Sequence, residues 1–272
     1  MEVILLGTAA AEAWPASFCK CRCCVEARRR KGRDIRTRSG AIIDQVVKVD
    51  FGPDTVMQMI QTGRELTGLS TLLFTHAHDD HFSPAELQYR RDGFVSSAAL
   101  ELLHIYGNEE ITSTLKQEFS DPSAYKCVIH DPIEPFTEFT TADKSVVMPF
   151  PANHAPNALL LRITRGDKSI FYGHDTGTVP EETIQGLAGV PLSLVLLDCT
   201  FGGAPNSGQG HMGVGGVLDT LPRLIDVGAI VDDTRIVATH FSHNGGLLYD
   251  ELTAEFSGTN VQVSYDGMIL DL

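Results

Sequence analysis

Short apolar runs, each stopped by a glycine, an aspartate or a histidine, punctuate this chain from end to end. Val3-Ile4-Leu5-Leu6 closes on Gly7-Thr8, Leu72-Leu73-Phe74 on Thr75-His76, Leu194–Leu197 on Asp198, and Ile236-Val237-Ala238 on Thr239-His240. Runs this short and this apolar read as strands buried on both faces. Ser39–Asp44 and Val46–Asp50 read as paired strands, the second closed by Phe51-Gly52-Pro53-Asp54, and Ala158–Thr164 with Ser169–Tyr172 as a hairpin around Arg165-Gly166-Asp167. Between them the spacing predicts helices near Cys24–Lys31, Val56–Leu66, 109–119, Pro180–Leu187 and Val214–Ile225. A further helix start is expected at Ser83-Pro84, with serine as N-cap and proline at the first helical position. Strand, helix, strand repeats in both halves, and each half delivers a Thr-His pair from a strand end. That pattern predicts an α/β fold of two sandwiched layers with the functional site between them. No Ser/Gly-rich linker separates the halves, so residues 1–272 are expected to form a single domain.

Composition narrows the function classes. Lys and Arg number 21 against 35 Asp and Glu, a formal net charge of −14. Affinity for a phosphate backbone comes mostly from Lys and Arg, so this balance argues against a general nucleic-acid binder. The one dense basic run, Arg28-Arg29-Arg30-Lys31, is expected to be a solvated helix face. The first apolar run is shorter than the ~7–15 residues of a secretory h-region, and no window approaches the ~18 apolar residues of a membrane span. Of the six cysteines, Cys19, Cys21, Cys23 and Cys24 crowd together. Such clustering suits thiolate ligation better than a disulfide framework, and cytoplasm is the expected compartment.

The candidate chemistry is concentrated in Thr75-His76-Ala77-His78-Asp79-Asp80-His81. Buried imidazoles and carboxylates are costly unless paired or metal-bound, so their gathering after one strand points to a metal. His76 and His78, two apart on an extended segment, can reach one ion together; Asp80 and His81, at the turn that follows, suit a second. Among the later histidines in turn-like contexts (His130, His154, His174, His211, His240 and His243), His154 and His240 lie at strand ends, as does Asp175, which could bridge two ions. His104 and His130 fall in ambiguous segments and read as surface or core residues. Asp50 is a candidate to hold the second N–H of a metal-binding imidazole.

Taken in order, Thr75-His76-x-His78-x-Asp80-His81, His154, Asp175 and His240 resemble the signature of the metallo-β-lactamase superfamily. The resemblance implies an αββα sandwich in which His76, His78 and His154 bind one ion, Asp80, His81 and His240 the other, and Asp175 bridges them. Gly7-Thr8, Pro15, Cys19-x-Cys21-x2-Cys24 and Asp266-Gly267-Met268 further resemble the phosphodiesterases of the carbon–phosphorus lyase pathway, which open a cyclic ribose phosphate. There, three cysteines at this spacing and a late histidine, here His243, hold a structural zinc in an N-terminal loop, here residues 15–26. Three thiolates and one imidazole make a closed tetrahedral site of structural type. Cys23 could replace Cys24 in it, and a redox Cys-x-x-Cys pair is the weaker reading. The resemblance also suggests a homodimer.

Two divalent ions, whether zinc, manganese or iron, would generate a bound hydroxide nucleophile oriented by Asp80 and Asp175. His211, in Gly208-Gln209-Gly210-His211, lies outside the implied ligand set, and Asp198 is placed to orient it as general acid; a plain helix-capping role is the alternative. A histidine and an acid at comparable positions occur in the superfamily's phosphodiesterases. The expected function is hydrolysis of a small phosphodiester, cyclic ribose phosphates among them. A tRNA-processing nuclease and a lactone, thioester or β-lactam hydrolase are the rival enzymes, and a non-catalytic metal-binding protein the remaining class. The substrate pocket is expected from Phe82–Tyr106, Ala155–Ala158 and Phe201–Gly210.

Overall fold

The computed structural model describes residues 1–96, 100–205 and 208–272. Residues 97–99 and 206–207, within two of the segments expected to shape the pocket, lie outside the described residues.

Two seven-stranded mixed sheets stack face to face. The first runs in the order β14 (Met268–Asp271), β1 (Glu2–Gly7), β2 (Gly40–Ile43), β3 (Val47–Val49), β4 (Thr71–Leu73), β5 (Leu103–Tyr106), β6 (Cys127–Ile129). The second runs β13 (Val261–Val263), β12 (Arg235–Thr239), β11 (Leu194–Asp198), β10 (Lys168–Gly173), β9 (Leu159–Arg165), β8 (Val146–Pro151), β7 (Phe139–Thr140). Alternation of side chains decides the layers. Leu194 and Leu196 point into the inter-sheet core with Leu5, Val49, Leu73 and Val237, while Val195 and Leu197 pack outward with Ile184, Val217 and Leu252. Those outer partners lie in α4 (Glu181–Gly186), α5 (Val214–Asp226) and α6 (Tyr249–Glu255). The first sheet's outer face is covered by Leu66, Leu69, Leu87, Ile111 and Leu115, the last two from α3 (Glu109–Glu118). Strands buried on both faces are therefore near-continuous apolar runs, and the αββα sandwich expected from them is present.

The strands that carry the motifs are parallel in both sheets. β4 pairs with β3 and β5, and β12 with β11 and β13, so Thr75–His81 and Thr239-His240 emerge from C-terminal strand ends. Expected boundaries shift where a local stop intervenes. Helix α2 spans Thr55–Thr62 rather than reaching Leu66, because Gly63 takes a left-handed φ of 65° at its C-cap. The helix expected at Ser83-Pro84 is a 3-10 segment, Pro84–Arg90, and Ser83 makes no capping hydrogen bond. The basic run closes α1 (Arg22–Arg30): Arg28 donates to the carbonyls of Cys19 and Ala16, while Arg29 and Arg30 pair with Glu26. No helix among the described residues is long and apolar enough to cross a membrane.

Candidate metal centre

Each motif residue reaches the gap between the sheets from a strand end, and some do so on a conformation side chains rarely adopt. Asp50, Asp175 and His240 have φ values of 59°, 57° and 62°. Left-handed backbone at non-glycine residues persists only where the surroundings over-determine it, and it concentrates at functional sites. The close approach of the loop after β3 is made possible by Gly52, where a Cβ would lie 2.0 Å from the Asp80 carbonyl oxygen.

The ring nitrogens are sorted by their partners. His81 Nδ1 donates to Asp50 Oδ2 at 2.7 Å, and His154 Nδ1 to the Gly210 carbonyl at 3.0 Å. The Thr200 hydroxyl donates to the His240 carbonyl and accepts from His240 Nδ1, both at 2.8 Å. The Thr75 hydroxyl lies 3.0 Å from His76 Nδ1 and is shared with the Asp50 carboxylate, which also accepts from the Thr75 amide. With Nδ1 satisfied behind each ring, the Nε2 lone pairs of His76, His81, His154 and His240 are left for the centre. His76 Nε2 and His154 Nε2 lie 3.0 and 3.1 Å from His78 Nδ1. His81 Nε2 lies 3.0 Å from Asp80 Oδ2 and 2.6 Å from Asp175 Oδ2, and His240 Nε2 lies 3.0 Å from Asp175 Oδ1.

These atoms fall into the sets His76/His78/His154 and Asp80/His81/His240, with Asp175 adjoining both. Three of the buried atoms, His81 Nε2, Asp175 Oδ2 and His240 Nε2, crowd together at ion-pair distances without a well-aligned hydrogen bond. Buried polar atoms left unpaired are costly, and converging imidazole and carboxylate donors are what zinc, manganese or iron accept. The residues present therefore fit divalent metal. His174, by contrast, sits behind the cluster against Tyr172, their ring centroids 4.0 Å apart. His104 and His130 hydrogen-bond each other at 2.9 Å and lie elsewhere, with His130 stacked on Tyr106.

The electrostatics say what metal would displace. Burial alone would push the His81 imidazolium down, but Asp175, Asp50 and Asp80 outweigh it and hold it well above the ordinary range. His240 is raised in the same way, with Asp175 prevailing over burial. Burial likewise disfavours the carboxylates of Asp80 and Asp175, but the facing histidines hold both below the usual range. Protons on His81 and His240 thus neutralise Asp80 and Asp175 when no ion does. The raised histidines contribute stability that is complete below the ordinary value of about 6.5 and lost as pH rises through their folded values; the depressed carboxylates contribute above about 4 and lose it as pH falls through theirs. Chelated protein should therefore be most stable in mildly acidic solution, melting lower at pH 9 than at pH 6. Metal must displace these protons, so zinc uptake should acidify a weakly buffered solution and tighten as pH rises. Uptake without proton release would refute this assignment.

Beside the cluster stands a buried pair. Asp198, fully buried, accepts from the Thr200 and Met212 amides at 2.9 and 3.0 Å and from His211 Nδ1 at 2.8 Å. His211 Nδ1 lies 3.7 Å from Asp175 Oδ1, and its ring stacks on His240 at 5.5 Å between centroids. Thr200, which touches both His211 and His240, was not signalled by the sequence; a threonine two residues past a strand-end aspartate has no pattern of its own. Nor was the adjoining cavity, about 530 Å³ in volume, signalled: Ala11, Arg38 and Pro53 line it with Ala77, His78, Asp79 and Asp80.

A second cluster joins the chain's two ends. Cys19, Cys21, Cys24 and His243 place one ligand atom each within 4.8 Å of one another, with His243 Nδ1 lying 3.7 Å from Cys19 Sγ and 3.5 Å from Cys21 Sγ. Cys21 caps α1, its sulfur accepting from the Cys24 amide. Burial opposes the Cys21 thiolate, but that amide and the neighbouring thiols bring its pKa down overall. Cys23 faces the core, and its carbonyl accepts from Trp14 Nε1 at 3.4 Å. Successive side chains on a helix point about 100° apart, so Cys24 reaches the cluster while Cys23 is turned away from it.

A family model for the beta-lactamase superfamily domain matches residues 46–241. A search of curated proteins finds no match. Among solved structures, zinc-bound PqqB from Methylobacterium extorquens superposes with a TM-score of 0.76 at 20% identity over 100% of both chains. A diphosphatase of the PhnP family gives 0.74 at 20% identity over 100% of this chain and 97% of that one. Human tRNase Z, short form, gives 0.68 at 17% identity, covering 100% and 99%. At such identities the likeness is one of fold. With a family model spanning most of its length, this chain belongs to the beta-lactamase superfamily of metal-dependent hydrolases.

Proposed function

We propose that the protein hydrolyses a small phosphodiester, with His76, His78, His154, Asp80, His81, His240 and Asp175 holding two divalent ions and Cys19, Cys21, Cys24 and His243 a structural zinc. The carrying observation is the His211–Asp198 pair, 2.8 Å between Nδ1 and Oδ2, set against the metal-facing cluster. Two structural neighbours named for phosphate chemistry, the diphosphatase and tRNase Z, are consistent with it.

Bound divalent ions supply Lewis acidity, lowering the pKa of water and neutralising charge on a phosphoryl group. The chain's own residues do the rest. Asp80 and Asp175 accept hydrogen bonds from the attacking water and orient it. Asp198 fixes the His211 tautomer and ring orientation, so that Nε2 can deliver a proton to the departing oxygen. Thr200 keeps His211 and His240 in register. The cavity beside His78 and Asp80 suits a small molecule, and the −14 charge disfavours a long polyanion.

The deciding assay sets bis(p-nitrophenyl) phosphate, ribose cyclic phosphates and a diphosphate ester against a lactone and thioester panel and a precursor tRNA. Turnover of small phosphodiesters, abolished by a chelator and restored by zinc or manganese, is expected. Strong lactonase activity without phosphodiester turnover would overturn the reading, and preference for tRNA would replace it with the nuclease.

A further inference from the structure

Lys48 lies in the middle of β3, between Ile42 of β2 and Leu72 of β4, and is fully buried. Burial pushes its ammonium down to about 8, and Asp50 is the one charge that opposes the shift. A methionine would fill such a position without the cost of burying an amine. The side chain does not pair with a carboxylate. Its Nζ donates instead to the main-chain carbonyl of Asp50, and it lies 5.4 Å from the centre of the Phe51 ring.

That carbonyl belongs to a residue at φ 59°. The left-handed turn, anchored on the other side by the Asp50 amide donating to the Leu73 carbonyl at 2.8 Å, carries the Asp50 side chain back toward the strand end of β4. There one carboxylate accepts from the Thr75 amide, meets the Thr75 hydroxyl that holds His76, and accepts from His81. Asp50 therefore organises one member of each ligand set. Without Lys48 its carbonyl would be a buried acceptor lacking this donor, and the strained turn would lose a restraint.

We propose that Lys48 is a positioning residue for the ligand cluster: by holding the Asp50 carbonyl it fixes the turn that aims one carboxylate at His81 directly and at His76 through Thr75. The inference rests on reading His76 and His81 as metal ligands. It makes a fully buried amine a determinant of metal affinity.

The test is Lys48→Met in the full chain, with two readouts. Zinc and manganese affinities, measured by competition with a chromophoric chelator, should fall ~10- to 100-fold, the usual cost of losing support behind a metal ligand. In chelated protein, the His81 Nδ1 proton held by Asp50 should give a slowly exchanging downfield resonance in the wild type and lose it in the variant. The chelated variant should melt close to wild type, since relief of the buried amine offsets the donor lost at the Asp50 carbonyl. Unchanged affinity overturns the proposal, whether or not melting moves or the resonance is lost; so does a retained resonance. If the wild type binds neither ion, the ligand reading fails, and the resonance alone decides whether Lys48 fixes Asp50. Should Lys48→Met not fold, Lys48→Gln serves the same comparison, its amide one bond shorter than the lysine's reach, with the same outcomes read the same way.

Discussion

His211→Ala should slow phosphodiesters with poor leaving groups by ~10²-fold or more while sparing activated nitrophenyl esters, because positioned general acids contribute roughly 10²–10⁴-fold. The geometry explains the asymmetry. Nδ1 is bonded to a fully buried Asp198, which fixes the tautomer and the orientation of the ring. A nitrophenolate departs without a proton, whereas a ribose or alkyl oxygen does not. Asp198→Asn should reproduce much of the loss, since an amide can present its NH2 to His211 and invert the tautomer. It should also disturb the Thr200 and Met212 amides bound to Oδ1. Kinetics on a matched ester series, plotted against leaving-group pKa, decide the matter. Equal losses across the series would show that His211 binds substrate rather than protonating it.

Cys21→Ser should remove one zinc per chain and lower the melting temperature markedly, with partial unfolding of residues 15–26. Metal binding at a closed thiolate site is folding free energy, about 10–16 kcal/mol of apparent affinity in small zinc domains. Here the site ties the N-terminal loop to His243, two residues beyond the Phe241 whose amide donates to the Thr8 carbonyl. Loss of that tie should therefore loosen the strand end that carries His240, and activity should fall with zinc content. Cys23→Ser is the control. Its sulfur lies outside the cluster, so zinc content should hold while the buried hydroxyl costs some stability. Metal analysis with thermal melts of both variants separates the cases; unchanged zinc content and melting in Cys21→Ser would remove the structural zinc.

Much of the site was legible in the chain because its chemistry is local. Thr75–His81 carries its ligands within a few residues of one strand end, so spacing alone places them together. The echo at Thr239-His240 and the apolar runs that precede both motifs carried the two-layer architecture as well. Asp50 was readable as a carboxylate at a strand end, and it does hold His81. Elsewhere local signals misled: Ser83-Pro84 has the composition of a helix start, yet tertiary packing leaves only a 3-10 segment there.

Residue types and their spacing were enough to name the side chains that could bind metal and the short buried strands that would deliver them. Which ring nitrogen faces the centre, the choice of Cys24 over Cys23 beside His243, and the places of Thr200, Arg38 and Lys48 follow from the folded packing. The reason is distance along the chain. Tautomers and thiol choice are set by partners such as Cys21 and His243, 222 residues apart, or His154 and Gly210, 56 apart. A strand's alternation fixes which face a residue takes, but the group waiting there is supplied by another strand. That pairing exists only once the two sheets have closed on each other.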